Sequence, residues 1–426
     1  MAGEPFIVSA PGKVILFGEH AVVYGKAAVA ASLDLRTYMV LEPLGTDTIE
    51  LRFPDVDLDL ALPTCDIPLL AADGQHPTAY EAQFAPLLAL VPTGPPTAAL
   101  LAFLCIYSQI AHQHETQTTH TSNRGFRIVA RSALPVGAGL GSSASFSACL
   151  ATALLKHFDF PRLTSLGPAG VANNEPLALI NHWAFVAEQV THGQPSGIDN
   201  AIAVYGGAKL YRKGQPMRDL GGFGAQRFLL VDTTVPKNTK RMVAGVADRR
   251  QKFPLVIDPV LDAIDGIASD FAQWTTAQAT SAVSSPSGRI AELIAFNQQL
   301  LRLLGVSHPS LEGICTTAAQ YGLAAKLTGG GGGGCALAWV PVTTPQQVIS
   351  NVQQALVDQG YTCYDTGLAG PGVQACDDLT PLLALATDCD GTPSLVTATA
   401  WDAALEQLVT KSPDLASTLT WSMFKL

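Results

Sequence analysis

The amino-acid sequence predicts a mixed α/β fold divided into two or three domains. The chain has 426 residues, which is more than one compact domain usually contains. Short apolar runs bounded by turn residues predict strands, as at 6–8 and 14–17 with a turn at Pro11-Gly12 between them. A longer apolar stretch such as 144–156 predicts a buried helix. Because 48% of the residues are hydrophobic and 14% are charged, the chain can bury a large core.

Composition and charge restrict the class of protein. The formal net charge is −10, which argues against nucleic acid or an anionic membrane as a partner. The longest apolar stretch, 98–106, is shorter than the roughly 18 residues of a membrane span. The eight cysteines are scattered without metal-ligand spacing and are interpreted as reduced thiols. We therefore expect a cytoplasmic protein; the C-terminal Phe424-Lys425-Leu426 is only loosely similar to a peroxisomal signal.

A glycine-rich stretch before the predicted helix carries the strongest indication of chemistry. Gly137, Gly139 and Gly141 can adopt positive φ and let a ligand approach the backbone. Ser142 and Ser143 follow, and the helix begins there, so backbone N–H groups and the positive helix end would face an anion. This pattern predicts a phosphate-binding loop, although a tight turn before a core helix would need similar glycines. No Gly-Lys-Ser/Thr sequence follows, which excludes a Walker A loop.

Three stretches in order resemble the signature motifs of the GHMP kinases, a superfamily of small-molecule kinases. The first, Ala10–Gly25, ends in Gly-Glu-His-Ala-Val-Val-Tyr-Gly and is similar to the mevalonate kinase form of that motif. The glycine-rich loop with its helix resembles the second, and Lys326–Cys335, which contains six consecutive glycines, resembles the third. The resemblance covers the chain from Phe6 to about Val373.

The resemblance implies a two-domain GHMP kinase fold of the α/β (α+β) class. Residues 1–228 would form an N-terminal domain like ribosomal S5 domain 2, with the ATP-binding loop and the catalytic residues. Residues 229–426 would form a ferredoxin-like C-terminal domain that includes a C-terminal extension after about residue 374. A helix is predicted at 400–408 in this extension, either packed on the body or free.

The resemblance also implies the catalytic residues. Asp199 would accept the proton of the substrate hydroxyl, and Lys13 would stabilise charge on the transferring phosphoryl group. Ser143 and Glu188 would bind Mg²⁺, because hydroxyl and carboxylate oxygens are hard ligands. From the residues alone, Ser196 and Asp199 also form an [ST]-x-x-[DE] pair, so helix capping is the alternative role of Asp199.

The implied binding residues divide into two groups. Those for ATP are Lys13, Asp55, Ser132, Gly137, Ala138, Gly139, Leu140, Gly141, Ser142 and Ser143. Those for the substrate are Glu19, His20 and Thr239. Asp55 stands where the family usually has asparagine, and a carboxylate accepts but does not donate. Lys237 stands where arginine is usual, so the two parallel hydrogen bonds that a guanidinium group can donate are not available there.

The implied activity is Mg²⁺- and ATP-dependent phosphorylation of the primary hydroxyl of mevalonate, in isoprenoid and sterol precursor biosynthesis. The implied partners are ATP, mevalonate, inhibitory isoprenoid diphosphates and a second copy of the chain in a homodimer. The alternatives are another GHMP kinase, acting on phosphomevalonate or a sugar, and a non-catalytic sensor of nucleotide or isoprenoid diphosphate. The first motif lacks the Thr-Asp pair of galactokinases, and the retained polar residues argue against a sensor.

Overall fold

A computed structural model describes residues 4–70, 85–88, 90, 97–117, 125–135, 137–158, 175–221, 223, 226–278, 287–382, 398–410 and 419. These residues form twelve strands: β1 (Phe6–Phe17), β2 (Ala28–Pro43), β3 (Thr48–Phe53), β4 (Leu58–Pro63), β5 (Phe126–Ser132), β6 (Ala208–Tyr211), β7 (Arg218–Asp219), β8 (Gln226–Asp232), β9 (Ala325–Leu327), β10 (Cys335–Val340), β11 (Thr362–Leu368) and β12 (Gln374–Cys376). The same residues form eleven α-helices: α1 (Ala85–Leu88), α2 (Thr97–Gln117), α3 (Ser142–His157), α4 (Glu175–His192), α5 (Ile198–Tyr205), α6 (Thr239–Lys252), α7 (Pro254–Gln278), α8 (Ser287–Leu303), α9 (Pro309–Gln320), α10 (Gln346–Val357) and α11 (Ala398–Thr410).

The strands join in one sheet whose main path runs β4-β3-β5-β2-β11-β8-β10-β9. β3 and β5 are parallel, and the other paired strands are antiparallel. The two halves of the path meet where β2 pairs with β11 through Leu33 and Leu368. The predicted domain boundary at residue 228 falls inside β8, and the division into 1–228 and 229–426 stays a prediction.

β1 corrects one expectation from the sequence. The turn predicted at Pro11-Gly12 is wrong, because β1 continues through it and only shifts its register against β2 between these two residues. A Cβ on Gly12 would lie 2.9 Å from the Leu140 carbonyl oxygen, so glycine lets the loop before α3 pack directly on the strand. The next residue, Lys13, donates its backbone N–H to that carbonyl at 2.7 Å. The irregularity therefore places Lys13 beside the predicted phosphate loop.

Alternate residues of β1 face two different cores. Phe6 and Val8 pack with α2, α3 and α4, whereas Ile7 packs on the other side against Trp401 of α11. The helix predicted at 400–408 is therefore present. Of the two alternatives that the sequence left open, packed on the body or free, the structure shows that it is packed on the sheet.

α2 is longer than the sequence predicts. The apolar residues from Ala98 predict a helix that ends at Ala111 before a polar loop, but His112 and His114 lie inside α2, and His120 falls outside the described residues. In the part of the chain that the structure describes, no helix is both long enough and apolar enough to cross a bilayer.

Candidate active site

The glycine-rich loop ends at the N-terminus of α3 in the predicted geometry. Gly137, Gly139 and Gly141 have φ of 74°, 72° and 75°. Gly141 is the N-cap, and no side chain caps the helix, so the N–H groups of its first turn keep their capacity to bind an anion. The loop and helix thus have the geometry of a phosphate site built from backbone alone, and phosphate binding by the loop stays a prediction.

Lys13 and Asp199 form an ion pair next to this loop. Lys13 Nζ lies 3.0 Å from Asp199 Oδ1, and the side chains are 10% and 39% exposed. Asp199 lies in the first turn of α5, where the helix dipole favours a negative charge. Gly197 is the N-cap of α5, and the Ser196 hydroxyl accepts from Ile198 N at 3.4 Å. The carboxylate is therefore paired with Lys13 and partly open to solvent, which is the position of a group that meets a ligand.

Glu188 on α4 contacts Ser143 at the start of α3. The Ser143 hydroxyl donates to Glu188 Oε1 at 2.5 Å, and Ser147 donates to the same oxygen at 3.4 Å. His192 lies one turn further along α4, and its Nε2 is 3.2 Å from Ser143 Oγ and 3.8 Å from Glu188 Oε2. Burial raises the pKa of Glu188, the Ser143 hydrogen bond opposes this, and the nearby Asp199 charge raises the pKa further. The predicted metal ligands are thus brought together at the phosphate loop.

These residues fit a divalent cation. A buried carboxylate and a hydroxyl supply hard oxygen donors, and a cation here would offset both the burial of Glu188 and its repulsion from Asp199. Mg²⁺ usually takes only one or two protein ligands and completes its coordination with water and phosphate oxygens.

A cleft extends from the phosphate loop to Asp55. Its lining includes Phe53, Asp55, Arg131, Ser132 and Ser143. Asp55 accepts from Arg131 Nη1 at 2.9 Å and from Ser132 N at 2.7 Å. Asp55, which departs from the family pattern, therefore accepts a hydrogen bond from a protein donor on each of its two carboxylate oxygens at the wall of the cleft.

His20 and Thr239 meet at the six-glycine loop. His20 has φ of 62°, and its Nε2 donates to Gly330 O at 2.9 Å, while burial lowers its pKa. Thr239 begins α6, whose N-cap Asn238 accepts from Arg241 N. A Cβ on Gly330 would lie 2.8 Å from Thr239 Oγ1, so the glycine permits this close packing. Substrate contact by His20 and Thr239 stays a prediction.

Glu19 occupies a closed environment. Lys326 Nζ donates to Glu19 Oε1, and Asn297 Nδ2 donates to Oε2 at 3.0 Å. The Lys326 and Glu19 side chains are both 0% exposed. Burial opposes both charges, raising the pKa of Glu19 and lowering that of Lys326. The carboxylate thus anchors the first motif to the third, and its predicted substrate contact is untested.

Lys326→Met is expected to destabilise the protein by about 3–5 kcal/mol, because it leaves the buried Glu19 carboxylate without its cation. Urea unfolding followed by circular dichroism measures this loss. Glu19→Gln with Lys326→Met removes both charges and is expected to recover part of the stability. A double variant no more stable than Lys326→Met would contradict the pairing.

Lys237 bridges the phosphate loop and the six-glycine loop. Its Nζ donates to Ala138 O, and a Cβ on Gly139 would lie 2.0 Å from the same nitrogen. A Cβ on Gly334 would lie 2.9 Å from Lys237 Cδ. Burial and the charge of Lys13 lower the pKa of Lys237. The sequence indicated that Lys237 replaces the usual arginine but did not indicate this contact.

The six-glycine loop packs tightly rather than linking domains. Gly331 has φ of 68°, and a Cβ there would lie 2.0 Å from Val306 O. The neighbouring Gly332 N donates to the same carbonyl at 2.8 Å. The glycines are therefore required by close backbone approach as well as by conformation.

Gly331→Ala is expected to lower the free energy of unfolding by at least about 3 kcal/mol, since it adds a backbone clash to the left-handed strain. Gly322→Ala is a matched control: φ is 77°, and nothing lies within 4 Å of the added Cβ. The control is expected to cost about 1 kcal/mol. Equal losses in urea unfolding would show that packing of the loop contributes nothing.

Three residues that contact the predicted site residues were not predicted from the sequence. His192 follows Glu188 by four residues on α4, and this spacing could have indicated their contact. Ser147 lies one turn beyond Ser143 on α3 and could have been found similarly. Asn297 carries no local signal, because its contact with Glu19 spans 278 positions in the chain.

Comparison with known proteins places the chain in a family. The profile described as GHMP kinases N terminal domain matches residues 103–207, and that described as GHMP kinases C terminal matches residues 283–359. The fold and the phosphate loop thus define a GHMP kinase, as predicted.

The similarity is more specific among individual relatives. The chain is 38% identical to mevalonate kinase of Mus musculus over 384 residues, 88% of this chain and 95% of the mouse protein. The crystal structure of the Methanococcus jannaschii mevalonate kinase matches with a TM-score of 0.63 and 24% identity, over 85% of this chain and 98% of that one. The L. major mevalonate kinase in complex with R-mevalonate matches with a TM-score of 0.61 and 24% identity, over 87% and 97%. The chain belongs to the mevalonate kinase family.

Proposed function

We propose that this protein transfers the γ-phosphoryl group of ATP to the primary hydroxyl of mevalonate, giving 5-phosphomevalonate and ADP. The observation that carries the proposal is the Lys13–Asp199 pair at 3.0 Å beside an uncapped helix N-terminus. A carboxylate next to a phosphate site is the arrangement that phosphoryl transfer to an alcohol needs.

Each group then has a role. Asp199 accepts the proton of the mevalonate hydroxyl as the oxygen attacks the γ-phosphorus. Lys13 stabilises negative charge on the hydroxyl oxygen and on the transferring group. The loop 137–143 holds the phosphates through backbone N–H groups. The cleft between Phe53 and Ser143 accommodates the rest of the nucleotide.

Mg²⁺ is the proposed cofactor, and Ser143 and Glu188 would hold it. The ion neutralises phosphate charge when bound. Their short mutual hydrogen bond and the burial of Glu188 support this assignment.

A substrate panel tests the function. Purified protein is incubated with MgATP and each of mevalonate, phosphomevalonate and galactose, and ADP is detected through a coupled assay. We expect ADP to form with mevalonate as the acceptor and not with phosphomevalonate or galactose. Turnover confined to another acceptor would identify another GHMP kinase, and absence of turnover with bound nucleotide would identify a sensor.

Further properties belong to the proposal. They are a homodimeric state, inhibition by isoprenoid diphosphates competing with ATP, and a cytoplasmic location. Family membership supports the use of ATP, whereas these three properties remain predictions.

A further inference from the structure

We propose that α11 fixes the wall of the nucleotide cleft through Asp402, which acts as a positioning residue for ATP. This inference rests on the proposed function, because it assumes that ATP occupies the cleft. The helix lies beyond residue 359, where the match to the C-terminal family profile ends.

The helix is firmly attached to the sheet. Trp401 is fully buried, and its Nε1 donates to Glu42 Oε2 at 3.2 Å. Ala404, Leu405 and Leu408 complete an apolar cluster with residues of β1, β2 and β5. A helix anchored in this way can hold a polar side chain at a fixed position.

Asp402 uses this position to hold two arginines. Its Oδ1 accepts from Arg131 Nε at 2.6 Å, and its Oδ2 accepts from Arg52 Nη2 at 3.3 Å. The carboxylate is 13% exposed, so solvent screens these contacts less than those of a surface pair. Two guanidinium groups near the C-terminal ends of β3 and β5 thus share one carboxylate from α11.

Arg131 connects Asp402 to Asp55 at the wall of the cleft. While its Nε is bonded to Asp402, its Nη1 donates to Asp55 Oδ1 at 2.9 Å, and Asp55 Oδ2 accepts from Ser132 N at 2.7 Å. Arg131, Asp55 and Ser132 all line the cleft that reaches Ser143. A planar guanidinium bonded on two edges has one orientation. An uncharged amide at position 402 has one acceptor oxygen for the two arginines instead of two, so it weakens the bond to Arg131 and loosens the guanidinium beside Asp55.

Asp402→Asn tests the inference, because it keeps the shape of the side chain and removes its charge. The dissociation constant of ATP, measured by calorimetry without mevalonate, is expected to rise about five- to tenfold. The KM for ATP is expected to rise equally. The KM for mevalonate and kcat are expected to change less than about twofold, because Asp402 contacts neither phosphate nor acceptor site.

Trp401→Phe is the matched control for loosening of the helix. It removes the bond to Glu42 and packing on the same helix but leaves the carboxylate of Asp402. Thermal stability is expected to fall while ATP affinity stays within about twofold of wild type. In an Arg131→Met background, Asp402→Asn is expected to change ATP affinity no further, because the connecting side chain is already gone.

Three outcomes would overturn the inference: unchanged ATP affinity in Asp402→Asn, an equal loss in Trp401→Phe, or a parallel rise in both KM values. Failure of the wild-type protein to bind ATP would instead overturn the proposed function. The two failures are therefore distinguishable in one set of titrations.

Discussion

Asp199→Asn is expected to lower kcat by roughly 10²- to 10⁴-fold, because the amide cannot accept the proton of the attacking hydroxyl at neutral pH. The carboxylate is the partly exposed member of the pair with Lys13, so it is available to a substrate hydroxyl. Asparagine has nearly the same shape, and the proposed phosphate site consists of backbone groups of another segment. The KM for ATP is therefore expected to change less than about threefold. Steady-state ADP release with saturating mevalonate measures both quantities.

Asp219→Asn supplies the control. Asp219 also pairs with a buried lysine, Lys209, but this pair lies on β6 and β7 and is not part of the site. The substitution removes the same type of ion pair and is expected to leave kcat within about twofold of wild type. If Asp199→Asn retained more than about a tenth of the wild-type kcat, Asp199 would not be the base.

Lys13→Met is expected to lower kcat by roughly 10²- to 10³-fold, since it removes a positive charge from the position where negative charge develops. Methionine keeps an unbranched apolar stem, which suits a side chain that is 10% exposed. The KM for ATP is also expected to rise, because the ammonium lies beside the phosphate loop, with the Lys13 backbone N–H bonded to Leu140 O. The same ADP-release assay separates the two effects.

The double variant Lys13→Met/Asp199→Asn shows whether the pair acts as a unit. Groups that share one step lose activity in a non-additive way, so the double variant is expected to be little worse than Asp199→Asn alone. Fully multiplicative losses would mean that the two residues act independently, and the assignment of Lys13 as the partner of Asp199 would be abandoned.

The phosphate loop was predictable because its signals are local. Gly137, Gly139 and Gly141 all adopt the positive φ that their spacing indicated, and α3 begins at Ser142 directly after them. Backbone conformation and helix polarity depend on a few consecutive residues, which the sequence displays directly. The same reasoning failed at Pro11-Gly12, where pairing with β2 absorbs the two residues as a register shift instead of a turn.

The environment of Glu19 shows the limit of such reasoning. No local pattern indicated the two partners of its carboxylate, Lys326 and Asn297, which lie 307 and 278 positions away in the chain. The contact between Asp402 and Arg131, across 271 positions, was equally absent from any local pattern. Partners so far apart are brought together only when several elements pack at once.

The sequence by itself determined the family resemblance, the conformation of the glycine-rich loop and the identity of the polar residues proposed for phosphoryl transfer. The tertiary structure alone decided which of them touch: Lys13 with Asp199, Ser143 with Glu188, and α11 with the wall of the cleft. The physical reason is that conformational preference is a property of neighbouring residues, whereas burial and charge pairing depend on distances that only the packed chain defines.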